Sequence, residues 1–223
     1  MLQIAEGVFE IAVGFVHVHL VLTDDGVVLV DTGLPGKSRT IERALGEARK
    51  TIGDVRTILL THWHADHVGG AAALRRRSGA RTVAHAIDAP VITGAVPMPL
   101  PAVQRTLARL VTGKPEPVMV DESLSADGPV SVPGFSAFHT PGHTAGHVSY
   151  LLDRADGILF AGDAATGGGT KVRHMSRTLN ADPTTARSSV AKLAALSFDV
   201  AVFGHGKAVA GGAVERFRDL AAR

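Results

Sequence analysis

Three histidines and an aspartate fall within six residues, His62-Trp63-His64-Ala65-Asp66-His67, directly after the apolar run 55–60. A buried strand cannot carry that many polar side chains onward unpartnered, so the strand must end there and present them. In extended chain alternate side chains point the same way, which lets His62 and His64 converge on one ion. Asp66 and His67 lie farther on, where the chain turns toward Gly69-Gly70 and a helix, so they can face a second ion beside the first. Neutral imidazole and carboxylate suit zinc, and also iron or manganese. One histidine alone would read as a packing or capping residue. Four ligand-type residues this close together read as a metal site.

Three more segments repeat the same design. Thr140-Pro141-Gly142-His143, Phe160-Ala161-Gly162-Asp163 and Val202-Phe203-Gly204-His205 each end an apolar stretch with glycine and then a ligand-type residue. Loops of this kind, gathered at one sheet edge on a rigid scaffold, are where sites are built.

The pattern between these motifs is α/β. Residues 8–13, 15–23 and 26–31 alternate as strands, with Asp24-Asp25-Gly26 as a hairpin turn. Residues 36–50 predict a helix with Ile41, Ala44, Leu45 and Ala48 on one face. Strands at 55–60 and 81–84 flank a helix at 71–77, whose Arg75-Arg76-Arg77 suits the negative end of the helix dipole. Prolines at 90, 97, 99, 101, 115 and 117 break the next stretch, leaving one helix near 102–111. This reads as an inserted flap at about 87–122. Its Met98, Leu100 and Leu107 form an apolar wall over the metals, or pack on the scaffold or on a second copy of the chain as a homodimer. Strands resume from Gly128, followed by a glycine-rich loop at 166–170. Asp182 and Pro183 start a helix reaching 196, and a strand at 199–203 precedes a closing helix at 213–222. The chain of 223 residues reads as one domain.

HWHADH, TPGHTAGH, AGD and the final GHG, in this order and with the early GVVLVDTG, resemble the metallo-β-lactamase superfamily over the full chain. That resemblance implies a four-layer αβ/βα sandwich of two mixed sheets flanked by helices. It also implies two divalent metal ions, with zinc the expected one and iron or manganese compatible. His62, His64 and His143 match the ligands of the first ion; Asp66, His67 and His205 match those of the second. Asp163 matches the bridging carboxylate, and Asp31 matches a position that orients ligands without binding metal. The implied reaction is attack by a metal-bridging hydroxide on a small thioester, ester or lactone, with Asp66 as the catalytic group that orients it. His174, in the loop after Asp163, is a candidate substrate contact. His147 and His139 are expected to make local hydrogen bonds, and His17, His19 and His85 to be structural.

Departures from the family's branches narrow the reading. There is no cysteine, so the thiolate of the cysteine-ligated β-lactamases is missing, and Asp163 points to the glyoxalase II-like or lactonase-like branch. The helical extension with which glyoxalase II binds glutathione is not expected after His205. Thr166 stands where quorum-quenching lactonases place a tyrosine. Composition excludes other classes. With 23 basic and 21 acidic residues the formal charge is only +2, and no long basic arm is present, so nucleic acid is not an expected partner. No run of 18 apolar residues and no leader-like N-terminus occur, which predicts a cytoplasmic protein without a membrane partner, acting on a small-molecule substrate. Two rivals stand beside the hydrolase. One is a persulfide dioxygenase-like oxidoreductase with a single iron at His62, His64, His143 and Asp163; the other is a non-catalytic metal-binding scaffold.

Overall fold

The computed structural model describes every residue from Met1 to Arg223, and the chain divides into two compact units. The first comprises Met1–Ala84 and Ala89–Ser123, the second His85–Asp88 and Leu124–Arg223.

The first unit is built on a seven-stranded mixed sheet whose strands lie in chain order. They are β1 (Leu2–Ala5), β2 (Val8–Val13), β3 (Val16–Thr23), β4 (Gly26–Val30), β5 (Val55–Leu59), β6 (Arg81–His85) and β7 (Glu122–Leu124). β1 to β4 are antiparallel, and β4, β5 and β6 run parallel. Val16, Val18 and Leu20 of β3 point to one face, where Ile41 and Leu45 of helix α1 (Ser38–Glu47) join them in the core. α1 stops short of the predicted 36–50 because Arg49 turns left-handed at φ 56° and Lys50 N–H bonds back to Leu45 O. Helix α2 (Ala65–Val68) carries Asp66 and His67, and α3 (Ala71–Ser78) follows it. The arginine run that ends α3 is neutralised residue by residue: Arg75 pairs with Asp121, Arg76 with Glu116 and Arg77 with Glu42. Each of the three arginines therefore has an acidic partner.

The proline-rich stretch holds α4 (Ala89–Ile92) and α5 (Ala102–Thr112). Ile92 and Val118 are buried in the first unit's core, with Met98 and Leu100 packed against it. α5 buries no residue; Arg105, Ala108 and Thr112 are its more covered positions, while Val103, Leu107, Leu110 and Val111 are exposed.

The second unit holds β8 (Gly128–Pro129), β9 (Phe135–His139), β10 (Val148–Leu152), β11 (Ile158–Phe160), β12 (Thr166–Gly168), β13 (Val172–Arg173), β14 (Val200–Val202), β15 (Gly206–Lys207) and β16 (Val209–Ala210). Six of them form a mixed sheet in the order β16-β14-β11-β10-β9-β8. Helices α6 (Pro183–Ala194) and α7 (Ala213–Ala221) place Val190, Leu193, Phe217 and Leu220 in a core with Leu159, Ala201 and Phe203. Asp182 caps α6 as expected, accepting from Thr184 N and Thr185 N at 2.9 and 3.1 Å. The glycine-rich segment expected as a loop contains β12, which pairs with β13 and β15 in a small third sheet. Its Thr-Gly-Gly sequence offers no apolar alternation, so only the main-chain pairing reveals it. Both units are mixed sheets with helices, the α/β class that the pattern predicted. No helix is long and apolar enough to cross a membrane.

Candidate metal centre

In the first unit the candidate ligand residues are arranged around one buried carboxylate. Asp31 follows β4 in the left-handed conformation, φ 61°, which aspartate tolerates better than most residues. Its Oδ1 accepts from Thr61 N–H at 2.8 Å, and its Oδ2 accepts from the Thr61 hydroxyl at 2.8 Å and meets His67 Nδ1 at 2.7 Å. A carboxylate accepts only, so His67 carries its proton on Nδ1 and its Nε2 is left with a lone pair. The Thr61 hydroxyl spends its proton on Asp31, so it can only accept from His62 Nδ1, 3.0 Å away. His62 is thereby fixed with its lone pair on Nε2. One aspartate sets the tautomer of two imidazoles, one directly and one through a threonine.

The freed nitrogens crowd together. His62 Nε2 lies 3.0 Å from His64 Nδ1, within 4.8 Å of a ligand nitrogen of His67, and Asp66 offers a carboxylate oxygen within 4.8 Å of His67. Nitrogens sharing a tetrahedral zinc through bonds of about 2.0–2.1 Å lie about 3.3 Å apart, so the His62–His64 spacing suits a common ion. The end of α2 is locked to the Asp31 turn, with Thr32 N–H and hydroxyl both donating to His67 O at 2.7 and 2.8 Å. Gly69 permits this approach, since a Cβ there would stand 2.3 Å from Pro35.

The second unit brings together His143, Asp163 and His205. Asp163 Oδ2 stands 3.3 Å from His143 Nε2 and 3.4 Å from His205 Nε2. Asp163 is held by a chain in which every proton is accounted for. Its N–H donates to His147 Nε2 at 2.9 Å, so His147 must donate from Nδ1 to the Thr140 hydroxyl at 2.8 Å. Thr140 passes its proton to Ser149 Oγ at 3.0 Å, and Ser149 donates to Ala161 O at 3.0 Å. The loop that carries His143 is fixed from both sides. Asp88 accepts from the Thr144 hydroxyl at 2.7 Å and from Gly146 N–H at 2.9 Å, while Gly142 packs against the start of α6. Thr166, at the position of the lactonase tyrosine, instead donates its hydroxyl to His205 O at 2.7 Å.

Each unit thus collects the site residues that its own sequence motifs proposed. His174 lines a cavity of about 20 Å³ with Ala164, the neighbour of Asp163, and with Asn180. Burial, and then the charge of Arg187, lower its pKa, so it is neutral near pH 7. Asp88 is the residue that sequence reasoning missed. It lies in an otherwise unremarkable segment, and its partners are 56 and 58 residues away. His139 donates from Nε2 to Ala145 O at 2.8 Å, and its ring stacks on His85 with centroids 4.1 Å apart.

The donor set fits a borderline divalent cation. Neutral imidazole lone pairs and carboxylate oxygens held this close repel one another unless positive charge lies between them, and no thiolate is available to select a softer ion.

Comparison with known proteins agrees. The profile of the metallo-beta-lactamase superfamily matches residues 11–205. A hydroxyacylglutathione hydrolase of Pseudomonas paraeruginosa is 33% identical over 76% of this chain and 53% of its own length. The chain therefore spans about half the length of this relative. The probable metallo-hydrolase YflN of Bacillus subtilis is 30% identical over 92% of this chain and 85% of its own length. Among solved structures, a metallo-β-lactamase of Cronobacter sakazakii superimposes with a TM-score of 0.70 at 25% identity, covering 91% of this chain and 79% of that one.

Proposed function

Because this chain belongs to the metallo-β-lactamase superfamily, we propose that it is a hydrolase holding two divalent cations, with zinc the expected metal, and that it cleaves a small thioester, ester or lactone. The observation that carries this reading is the Asp31–Thr61–His62 and Asp31–His67 network, which leaves two imidazole lone pairs aimed outward from a buried carboxylate. Such an arrangement prepares imidazole ligands for a cation.

In this reading His62, His64, Asp66 and His67 of the first unit, and His143, Asp163 and His205 of the second, would hold the cations. When bound, the cations would supply Lewis acidity, lowering the pKa of a water and polarising the scissile carbonyl. The chain's own groups do the rest. Asp66, 8% exposed, orients the attacking water and takes up its proton. Asp31 keeps His62 and His67 in the ligating tautomer, and His147 keeps Asp163 in place. The absence of cysteine is consistent with a reaction that needs no covalent nucleophile. Similarity to a hydroxyacylglutathione hydrolase supports an acylated thiol among the substrates, and YflN supports metal-dependent hydrolysis more generally.

The test begins with metal content per chain by plasma mass spectrometry, on protein purified without chelators, followed by a panel of thioesters, esters and lactones. About two equivalents of metal and chelator-sensitive turnover are expected. Asp66→Ala should lose about 10²–10⁴-fold in turnover with its circular dichroism unchanged. One equivalent of iron, or near-normal activity in a folded Asp66→Ala variant, would overturn the reading.

A further inference from the structure

Beside the ligand loop, within the first unit, lies a cavity of about 280 Å³. It is lined by Trp63 and Val68, which flank the candidate ligand residues, and by Ile92 and Met98 of the proline-rich stretch. Trp63, Val68 and Ile92 are buried at 6%, 3% and 4% exposure, so the floor is apolar. The rim is cationic. Arg109, in the last turn of α5, and Lys114 both line it. Glu116 lines it too, but its carboxylate is paired with Arg76. Neither the Arg109 nor the Lys114 side chain has a hydrogen-bond or ion-pair partner.

An apolar floor beneath two unpartnered cations selects for a particular kind of molecule. A neutral hydrocarbon would leave the rim charges unused, and a cationic amphiphile would be repelled by them. A carboxylate at the end of an acyl chain answers both features, with charge-assisted hydrogen bonds at the rim and burial below. The volume, at about 30 Å³ for a water-sized group, holds about nine such groups. α5 is fixed by no buried apolar residue, so this wall can adjust to its occupant.

We infer that this cavity is a binding site for a medium-chain carboxylate, with the chain against Trp63 and the carboxylate between Arg109 and Lys114. The site contains none of the ligand residues, and it stands whether or not the hydrolase reading does. It does abut the ligand loop: the indole of Trp63 meets His64 edge-on, with ring centroids 4.3 Å apart.

Trp63 is the only tryptophan in the chain, so its emission reports directly on the cavity. The full chain as purified is titrated with octanoate, octanol and octyltrimethylammonium while Trp63 fluorescence is followed; no turnover is needed. Octanoate should give a saturable change and bind about tenfold or more tighter than octanol, with no saturable response to the ammonium. The exposed double variant R109A/K114A should lose the preference for octanoate while binding octanol as before. An absent or non-saturating octanoate response would overturn the inference, as would equal affinity for octanol or undiminished octanoate binding by the double variant. The comparison of the three probes on the unmodified chain decides the matter even if the variant fails to fold.

Discussion

Asp31→Asn is the substitution that probes the ligand network most sharply. Asparagine tolerates the left-handed backbone of this position as well as aspartate does, so φ 61° adds no cost of its own. Its amide oxygen can still accept from Thr61 N–H, as Oδ1 does at 2.8 Å. Its NH₂ then stands where Oδ2 now receives protons from both Thr61 and His67. A donor facing donors forces a rearrangement. His67 must release its Nδ1 proton and carry it on Nε2. The Thr61 hydroxyl, now accepting from the amide, turns its own proton toward His62 Nδ1, which moves the His62 proton to Nε2 as well. Both ligand nitrogens become N–H groups. Loss of one orienting partner typically costs 10–100-fold in metal affinity, and two imidazoles are affected here, so a loss of about a hundredfold or more is expected. The assay is competition for zinc against a chromophoric chelator, with circular dichroism as the control for folding. Metal affinity within about threefold of the unsubstituted protein, in a folded variant, would refute the tautomer argument.

Two further outcomes follow from individual contacts. Gly142→Ala should destabilise the chain by about 3 kcal/mol or more, lowering the melting temperature by about 10 °C. The reason is that Gly142 sits at φ 131° and a Cβ there would stand 2.3 Å from Ala186 N; a melt within about 2 °C of the parent would contradict this. Burial, and then the charge of His139, hold His85 down at about 4, below its ordinary 6.5. The folded chain therefore keeps His85 neutral while the unfolded chain takes up a proton as pH falls through 6.5. The stability from neutral His85 is complete above that value and declines between 6.5 and about 4, by up to about 1.4 kcal/mol per pH unit. Urea denaturation between pH 7 and 5 should show a shallower decline in His85→Gln than in the parent, and equal slopes would refute the assignment.

The candidate ligands were legible in the sequence because their information is local. His62, His64, Asp66 and His67 follow one another at the end of β5, and His143, Asp163 and His205 each close an apolar run with a glycine before them. Residue type and the twofold period of a strand are enough to locate such groups. The same local patterning placed most strands and the cap of α6, and it failed where it had nothing to read, as at β12. What orients the ligands is not local. Asp31 reaches Thr61 and His67 across 30 and 36 residues, Asp88 reaches the His143 loop across 56 and 58, and His147 holds Asp163 across 16. The arginine run showed its charge in the sequence but not its partners, which lie 35 to 46 residues away. The helix α5 was legible, but not that Val103, Leu107, Leu110 and Val111 would be left exposed. Residue order determines which donors and acceptors exist and which way a local segment turns. Which donor meets which acceptor is decided only when distant segments pack, because a hydrogen bond depends on position and direction in space and not on separation along the chain.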